Sequence, residues 1–388
     1  MRGARMNGWV SIGGSGSGGG AGASGVKNSH GASMDFGPLQ RLVADERVTD
    51  VLVTCDGTVW VDRGLGVELE HPTIPLDSPA TVRRLAVQLC AQLGCRLDDA
   101  QPIADASAAD GTRIHAVIAP IVPYGASLSI RLPNRIDADF AALASARCWP
   151  EQWGPILECL VAKQANILIT GCTGAGKTTL LKALLSRCES SERIVVIEEV
   201  RELQHMMHEN MVSLASRGTN VEGAGAVPLS DLVKSSLRMR PDRIVVGECR
   251  GEEVLDLIRA LNSGHNGSFT TLHANGVGRV PGRLISLGFL ANTSPEAMAS
   301  LTDGAFDVVL HMERRPGQRY IAQIGVLECV DGRLIGRTVS AWNGYGQPTI
   351  GEAWGAFAMR WGTVRAQQPN HAPDSRVREQ VRRLETAS

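Results

Sequence analysis

The feature that most constrains this chain is a run of eight residues, Gly-Cys-Thr-Gly-Ala-Gly-Lys-Thr, at positions 171–178. The run fits G-x-x-x-x-G-K-[ST] at each fixed position, with an apolar strand pattern before it (166–170) and a helical pattern after it (177–186). Glycines let such a loop wrap around phosphates with its N–H groups pointing inward, and the next helix presents its positive end. The sequence therefore predicts a nucleotide-binding α/β domain.

Each position of this loop has an expected task. Lys177 is expected to reach the β- and γ-phosphates of ATP, and the Thr178 hydroxyl to ligate Mg²⁺. ATP and Mg²⁺ are therefore the predicted cofactors. The residues predicted to surround the phosphates are Gly171, Cys172, Thr173, Gly174, Ala175, Gly176, Lys177, Thr178 and Thr179.

The chain has 388 residues, which is long enough for two folded domains and tails. Apolar strands alternate with helices after residue 165, a pattern typical of a parallel sheet covered on both faces. Strand patterns and one amphipathic helix before residue 134 predict a separate, small α+β domain. The predicted boundaries are a disordered Gly/Ser-rich tail at 1–35, the α+β domain at 36–134, an ATPase domain with its linker at 135–350 and a polar tail at 351–388.

Composition narrows the class of function. Hydrophobic residues make up 43% and charged residues 20%, as in soluble globular proteins. A net charge of -1 and 4% aromatic residues give little support for nucleic-acid binding. Nine cysteines without a C-x-x-C pair indicate reduced thiols rather than a zinc site or a disulfide framework. Without a signal-peptide core or a long apolar run, the predicted location is cytoplasmic, with peripheral association to a membrane.

Two predicted strands end in carboxylates that could support hydrolysis. Glu198 ends the strand at 193–198, and Glu248 follows the next, where Gly247 holds the place of a metal-binding Asp. Ligands of open α/β sheets bind at the carboxyl ends of strands, so both glutamates are expected near the loop. We predict that Glu248 orients the attacking water and that Glu198 supports the metal. The alternative is that Glu248 serves only as an ion-pair partner of Arg250.

A histidine follows another predicted strand, at 268–272. His273 lies in a polar cluster and is predicted to contact the γ-phosphate. The alternative is a histidine with a purely structural role, which is the commoner case for a single histidine.

Four segments, 171–179, 197–204, 237–251 and 264–275, resemble the Walker A, acidic, Walker B and His boxes of type II/type IV secretion ATPases. The resemblance is closest to the CpaF/TadA-like ATPases of tight-adherence (Flp) pilus systems. It implies a RecA-like P-loop NTPase domain with a mainly parallel sheet after the α+β domain, and a hexameric ring. It also implies ATP hydrolysis that powers pilus assembly or protein secretion through an inner-membrane platform protein.

The resemblance also adds two arginines to the site. Arg113 and Arg131 match arginines that reach the phosphates from the N-terminal domain of such proteins. The predicted metal ligands are Thr178 and Glu198. The full set of predicted catalytic residues is Glu248, Glu198, Lys177, His273, Arg113 and Arg131.

Two other classes of function remain open from the sequence. One is a P-loop motor that translocates nucleic acid, a role that RecA-like sheets also serve. The other is a nucleotide-gated regulatory subunit with weak turnover, suggested by Glu199 in place of the family's usual Asp. Salt-dependent binding of single-stranded nucleic acid would identify the translocating motor, and a measurement of ATP turnover would identify the nucleotide-gated subunit. No motif encodes the transported substrate, the direction of action or the membrane partner.

Overall fold

The computed structural model describes residues 34–362 apart from 65, 73–74, 109, 134–138, 204–205, 207 and 218–224. The predicted tail at 1–35 lies almost wholly outside these residues, and so does the predicted C-terminal tail beyond 362. Within the described ranges no helix is long and apolar enough to cross a membrane.

The first part of the described chain forms a six-stranded antiparallel sheet with strand order β3-β2-β1-β6-β5-β4. Its elements are α1 (Gln40–Ala44), β1 (Asp50–Val53), β2 (Val59–Asp62), β3 (Val67–Glu70), α2 (Pro79–Gln92), β4 (Ile103–Ser107), β5 (Arg113–Ile118) and β6 (Ala126–Arg131). Sequence patterns predicted β1, β2, β5, β6 and α2. The edge strands β3 and β4 were not predicted.

Helix α2 covers one face of this sheet. It begins where the Ser78 side chain accepts a hydrogen bond from the N–H of Thr81, with Pro79 in the first turn. Its buried side chains recur at helical spacing and pack on β4, β5 and β6: Val82, Leu85, Ala86, Leu89 and Cys90. The antiparallel sheet and its helix form the small α+β unit that the sequence predicts.

The second part forms a nine-stranded sheet with strand order β15-β14-β13-β12-β7-β11-β10-β8-β9. Its strands are β7 (Ile167–Gly171), β8 (Ile194–Glu198), β9 (Met211–Ala215), β10 (Arg243–Val246), β11 (Phe269–Leu272), β12 (Val308–Arg315), β13 (Gln318–Val330), β14 (Arg333–Ala341) and β15 (Thr349–Ile350). Its helices are α3 (Phe140–Ser145), α4 (Gly154–Ala162), α5 (Lys177–Leu185), α6 (Leu229–Ser236), α7 (Glu253–Asn262), α8 (Val280–Leu290), α9 (Pro295–Thr302) and α10 (Trp354–Trp361).

Six neighbouring strands of this sheet, β12 to β9 in the strand order, are parallel, and β13, β14 and β15 continue it as an antiparallel meander. Every residue of β7, β8, β10 and β11 is buried, because helices pack on both faces. One core contains residues of α4, α5 and α10, and the other contains residues of α6, α7, α8 and α9. This architecture confirms the predicted fold class, a RecA-like domain with a mainly parallel sheet after a small α+β domain.

The predicted polar tail does not begin at 351. Residues Trp354–Trp361 form helix α10, and Phe357 and Trp361 are buried in the core beside α4. The Lys163 ammonium donates to the carbonyl oxygen of Arg360 at 2.8 Å and further fixes this helix. The predicted start of the tail was wrong because only three large apolar residues of one helical face mark this helix, namely Trp354, Phe357 and Trp361. The residues between them are mostly small or polar.

A short 3₁₀ turn, Val277–Arg279, follows β11 and packs tightly on the meander. A Cβ at Gly325 of β13 would lie 2.4 Å from Cγ1 of Val277, and one at Gly336 of β14 would lie 2.2 Å from its carbonyl oxygen. The N–H of Val277 donates to Oε1 of Gln323 at 2.8 Å. Only glycine fits at these two places in the strands.

Candidate nucleotide site

The loop between β7 and α5 has the backbone shape of a phosphate cradle. Gly174 and Gly176 have φ values of 72° and 95°, which L side chains rarely adopt. Gly176 caps α5, so the N-terminus of that helix faces the loop. Cys172, Thr173 and Gly174 are exposed, whereas Ala175 is buried against the core. The loop is therefore open to a ligand on its outer side.

Lys177 points back under this loop. Its side chain is buried, and Nζ donates to the carbonyl oxygens of Gly171 (3.0 Å) and Cys172 (3.2 Å). Burial lowers the pKa of the ammonium, which the nearby Glu248 carboxylate partly counteracts. A phosphate oxygen would offer this buried charge an anionic partner in place of neutral carbonyls.

Thr178 and Thr179 occupy the first turn of α5 and are half-buried. Among the described residues, the Thr178 hydroxyl has no hydrogen-bond partner. It is thus available to a metal ion, as its place after the lysine predicts. No group of three or more His, Cys, Asp or Glu side chains in the described part of the chain could hold a metal by itself. A Mg²⁺ bound here would rely mostly on phosphate and water oxygens, which is its usual preference.

Glu248 and His273 meet beside Lys177, at the carboxyl ends of β10 and β11. His273 Nε2 lies 2.8 Å from Oε1 of Glu248, and His273 Nδ1 lies 3.3 Å from Nζ of Lys177. Burial lowers the pKa of His273, which favours the neutral imidazole. Oε1 of Glu248 is buried and accepts no hydrogen bond of normal geometry from the described residues. That oxygen keeps the capacity to accept a proton from a water molecule.

The other oxygen of Glu248 is occupied. Arg250 donates from Nη2 to Oε2 of Glu248 at 2.9 Å, and from Nη1 to Oε2 of Glu199 at 3.1 Å. The ion pair that the alternative interpretation of Glu248 requires is therefore present, but it uses only one carboxylate oxygen. Arg250 was not among the predicted site residues, although its position two residues after Glu248 was the available signal.

Glu198 is oriented differently from Glu248. Its side chain is 4% exposed, and its carboxylate accepts from the N–H groups of Glu202 (3.0 Å) and Leu203 (3.4 Å). A Cβ at Gly247 would lie 2.9 Å from Cγ of Glu198, so the glycine leaves room for this side chain. Burial raises the pKa of Glu198 to about 7. These contacts give Glu198 a structural task, and its role as a metal ligand stays a prediction.

The raised pKa of Glu198 predicts a pH-dependent stability. The folded state keeps a proton that the unfolded chain loses between about pH 4.5 and 7, so the free energy of unfolding falls as pH rises through this window. Replacing Glu198 by Gln removes this dependence. We therefore expect the free energy of unfolding of Glu198→Gln, measured relative to that of the wild type, to rise by up to about 3 kcal/mol between pH 4.5 and pH 8.

Urea unfolding of both proteins at the two pH values measures this gain. The exposed Glu209 provides the matched control, since Glu209→Gln should change the free energy of unfolding by the same amount at both pH values. An equal effect of Glu198→Gln at both pH values would contradict the prediction.

The structure places Arg113, one of the two predicted arginines, beside residues 197–203, which we call the acidic segment. Arg113 forms an ion pair with Glu202, which follows β8. A Cβ at Gly111 would lie 2.5 Å from the carbonyl oxygen of Arg201, so the end of the antiparallel sheet closely approaches this segment. Arg131 lies opposite Arg113 in the β5–β6 register, but it is exposed and donates to Oδ1 of Asp50 at 3.1 Å. Arg131 is thus not held at the loop.

Two arginines at the loop were missed by the sequence predictions. Arg319 donates from Nε to the carbonyl oxygen of Gly174 at 2.9 Å, and Arg314 lies next to the same glycine. They belong to β13 and β12. No sequence signal placed them here, because only the sheet order sets β12 beside β7.

The fold and this site together define a P-loop ATPase. Residues 32–312 match the type II/IV secretion system protein family, and the chain belongs to that family. This confirms the predicted superfamily and the predicted class of function, an ATPase that powers secretion or pilus assembly.

Individual relatives agree with this membership. A protein named for conjugal transfer, Rv3659c of Mycobacterium tuberculosis (strain ATCC 25618 / H37Rv), is 42% identical over 314 residues, covering 79% of this chain and 88% of that protein. The type IV secretion system protein PtlH of Bordetella pertussis is 31% identical over 318 residues, covering 74% of this chain and 92% of that protein. The pilus retraction motor PilT with bound ADP shares the fold, with a TM-score of 0.51 and 18% identity over 71% of this chain and 77% of that one.

Proposed function

We propose that this chain is the Mg²⁺-dependent motor ATPase of a machine at the bacterial inner membrane that assembles a pilus or exports protein. Within its family we assign it to the CpaF/TadA-like ATPases of tight-adherence pili. It would work on the cytoplasmic side as a hexameric ring against an inner-membrane platform protein. The observation that carries the ATPase assignment is the cluster of Lys177, His273 and Glu248 at the carboxyl ends of adjoining parallel strands.

The roles of the side chains follow from their contacts. Lys177 is held under the loop by the carbonyl oxygens of Gly171 and Cys172, and its charge would bind the β- and γ-phosphates. Glu248 presents a buried oxygen, 2.8 Å from Nε2 of His273, that accepts no hydrogen bond of normal geometry from the described residues and can orient a water molecule and take its proton. His273, neutral and in contact with both, can sense the γ-phosphate through a hydrogen bond.

Thr178 and Glu198 would hold Mg²⁺, which when bound neutralises charge on the phosphates. The Thr178 hydroxyl, which has no hydrogen-bond partner among the described residues, supports its part of this assignment. Arg113, already at the acidic segment, and Arg131 beside it would approach the phosphates when the two sheets close on a nucleotide. Such closure would exclude water and strengthen each polar contact.

A specific observation favours a second candidate, a nucleotide-gated subunit with weak turnover. Arg250 forms ion pairs with both Glu248 and Glu199. The ion pair between Arg250 and Glu248 must break if both Glu248 oxygens are needed for catalysis. The composition gives nucleic-acid translocation little support, since the net charge of -1 and the few aromatic residues offer little to a nucleic-acid backbone or its bases, although the relative Rv3659c is named for conjugal transfer.

The decisive experiment is ATP turnover by the purified chain, with and without Mg²⁺, over a wide range of protein concentrations. We expect turnover per protomer to depend on Mg²⁺ and to rise with concentration as rings assemble. ATP binding without turnover at any concentration would favour the gated subunit. Absence of ATP binding would overturn the proposed function.

A further inference from the structure

The hairpin of β12 and β13 carries three arginines near the phosphate loop, and one of them serves the fold. Arg315 donates to the carbonyl oxygens of Asn343 (2.9 Å) and Gly344 (3.0 Å) and stacks on the Tyr345 ring at 3.4 Å. All of these partners are protein groups on the meander. Arg315 therefore needs no ligand to explain its place.

Arg314 and Arg319 are different. They lie opposite each other in the β12–β13 register and both side chains are exposed. A Cβ at Gly174 would lie 3.3 Å from Nη1 of Arg314, and one at Gly176 would lie 3.1 Å from Cδ of Arg319. Apart from the bond of Arg319 to Gly174, no carboxylate or carbonyl of the described residues engages either guanidinium. Two unpaired positive charges thus flank the outer side of the loop.

The sheet order sets the direction in which a nucleotide must lie. Strand β7, which leads into the loop, has β11 on one side and β12 on the other. The groups that act on the terminal phosphate, His273 and Glu248, follow β11 and β10. The remainder of a bound nucleotide would therefore extend from the loop toward β12, where Arg314 and Arg319 lie.

We propose that Arg314 and Arg319 bind the nucleoside monophosphate end of ATP or ADP, that is, the α-phosphate and the ribose with its base. A guanidinium can donate two parallel hydrogen bonds to a phosphate and can stack on a planar base. This inference rests on the proposed function, because it assumes that the loop binds a nucleotide. It adds a binding role for a hairpin outside the four sequence motifs.

The test compares the Kd of ADP with that of inorganic pyrophosphate, which lacks the nucleoside. Arg314→Ala is the primary variant, because Arg314 has no hydrogen bond within the described structure whose loss would disturb the loop. The Arg314→Ala/Arg319→Ala double variant follows. Arg333→Ala, at the exposed first residue of β14, is the matched control. We expect the Kd of ADP to rise by about tenfold in Arg314→Ala and further in the double variant.

The Kd of pyrophosphate should rise less than that of ADP, since pyrophosphate can offer these arginines a phosphate but neither the ribose nor the base. An unchanged ADP Kd in the double variant would overturn the inference while leaving the proposed function intact. Equal weakening of both ligands would also overturn it, since the arginines would then act on the whole loop by charge alone. A wild type that binds neither ligand would defeat the proposed function and this inference together.

Discussion

Glu248→Gln should lower ATP turnover by about 10²–10⁴-fold while leaving nucleotide binding nearly unchanged. Glutamine keeps the size of the side chain and can still accept from Arg250, but it cannot take a proton from the attacking water. Oε1 of Glu248 is the oxygen affected, because it is buried and without a hydrogen bond of normal geometry in the described structure. Single-turnover kinetics and ATP titration on the same preparation separate the two effects.

Glu252→Gln is the control for this variant. It makes the same chemical change four residues later, at an exposed position before α7, and should hydrolyse ATP at the wild-type rate. Wild-type turnover in Glu248→Gln would mean that Glu248 serves only the ion pair with Arg250, as the alternative interpretation of the sequence holds.

Lys177→Ala should abolish turnover and also weaken ATP binding by more than about tenfold. The ammonium is the only cation that hydrogen-bonds loop carbonyls from beneath the loop in the described structure, and a phosphate would replace those carbonyls as its partner. Thermal unfolding with and without ATP measures the binding loss. ATP should raise the Tm of the wild type but not that of the variant, because a ligand stabilises only the folded state that binds it.

Lys182→Ala, on the same helix, is the matched control and should keep the ATP-induced rise in Tm. An equal rise in Lys177→Ala would show that the loop holds the nucleotide without this lysine, and the assigned role would be wrong.

The parts of the fold that local pattern decides were predictable. The glycines and lysine at 171–178 predicted the β7–loop–α5 unit, and apolar runs predicted β8, β10 and β11. Strands β3 and β9 were not predicted, because each is a short run of four or five residues. In the fold β3 is mostly exposed and β9 is half-buried throughout. Helix α10 escaped for a related reason, since its core contact depends on only a few aromatic residues.

The candidate site was predictable where strand ends determine it. Glu248 and His273 follow neighbouring parallel strands, so their meeting follows from topology. Two features of the site could be found only in the folded structure. Glu198 turns its carboxylate onto the backbone of 202–203, which its place at a strand end does not reveal. Arg314 and Arg319 reach the loop only because β12 pairs with β7, although more than a hundred residues separate those strands.

The tight fit of Val277 on Gly325 and Gly336 also bears on how such a motor delivers force. Val277 stands four residues after His273, and its backbone is bonded to Gln323 on β13. Closely packed contacts without voids transmit displacement instead of absorbing it. A shift of the His273 segment on phosphate release would therefore move β13 and β14 together as one rigid unit. A larger side chain at Gly325 or Gly336 would collide with Val277 and disturb this contact.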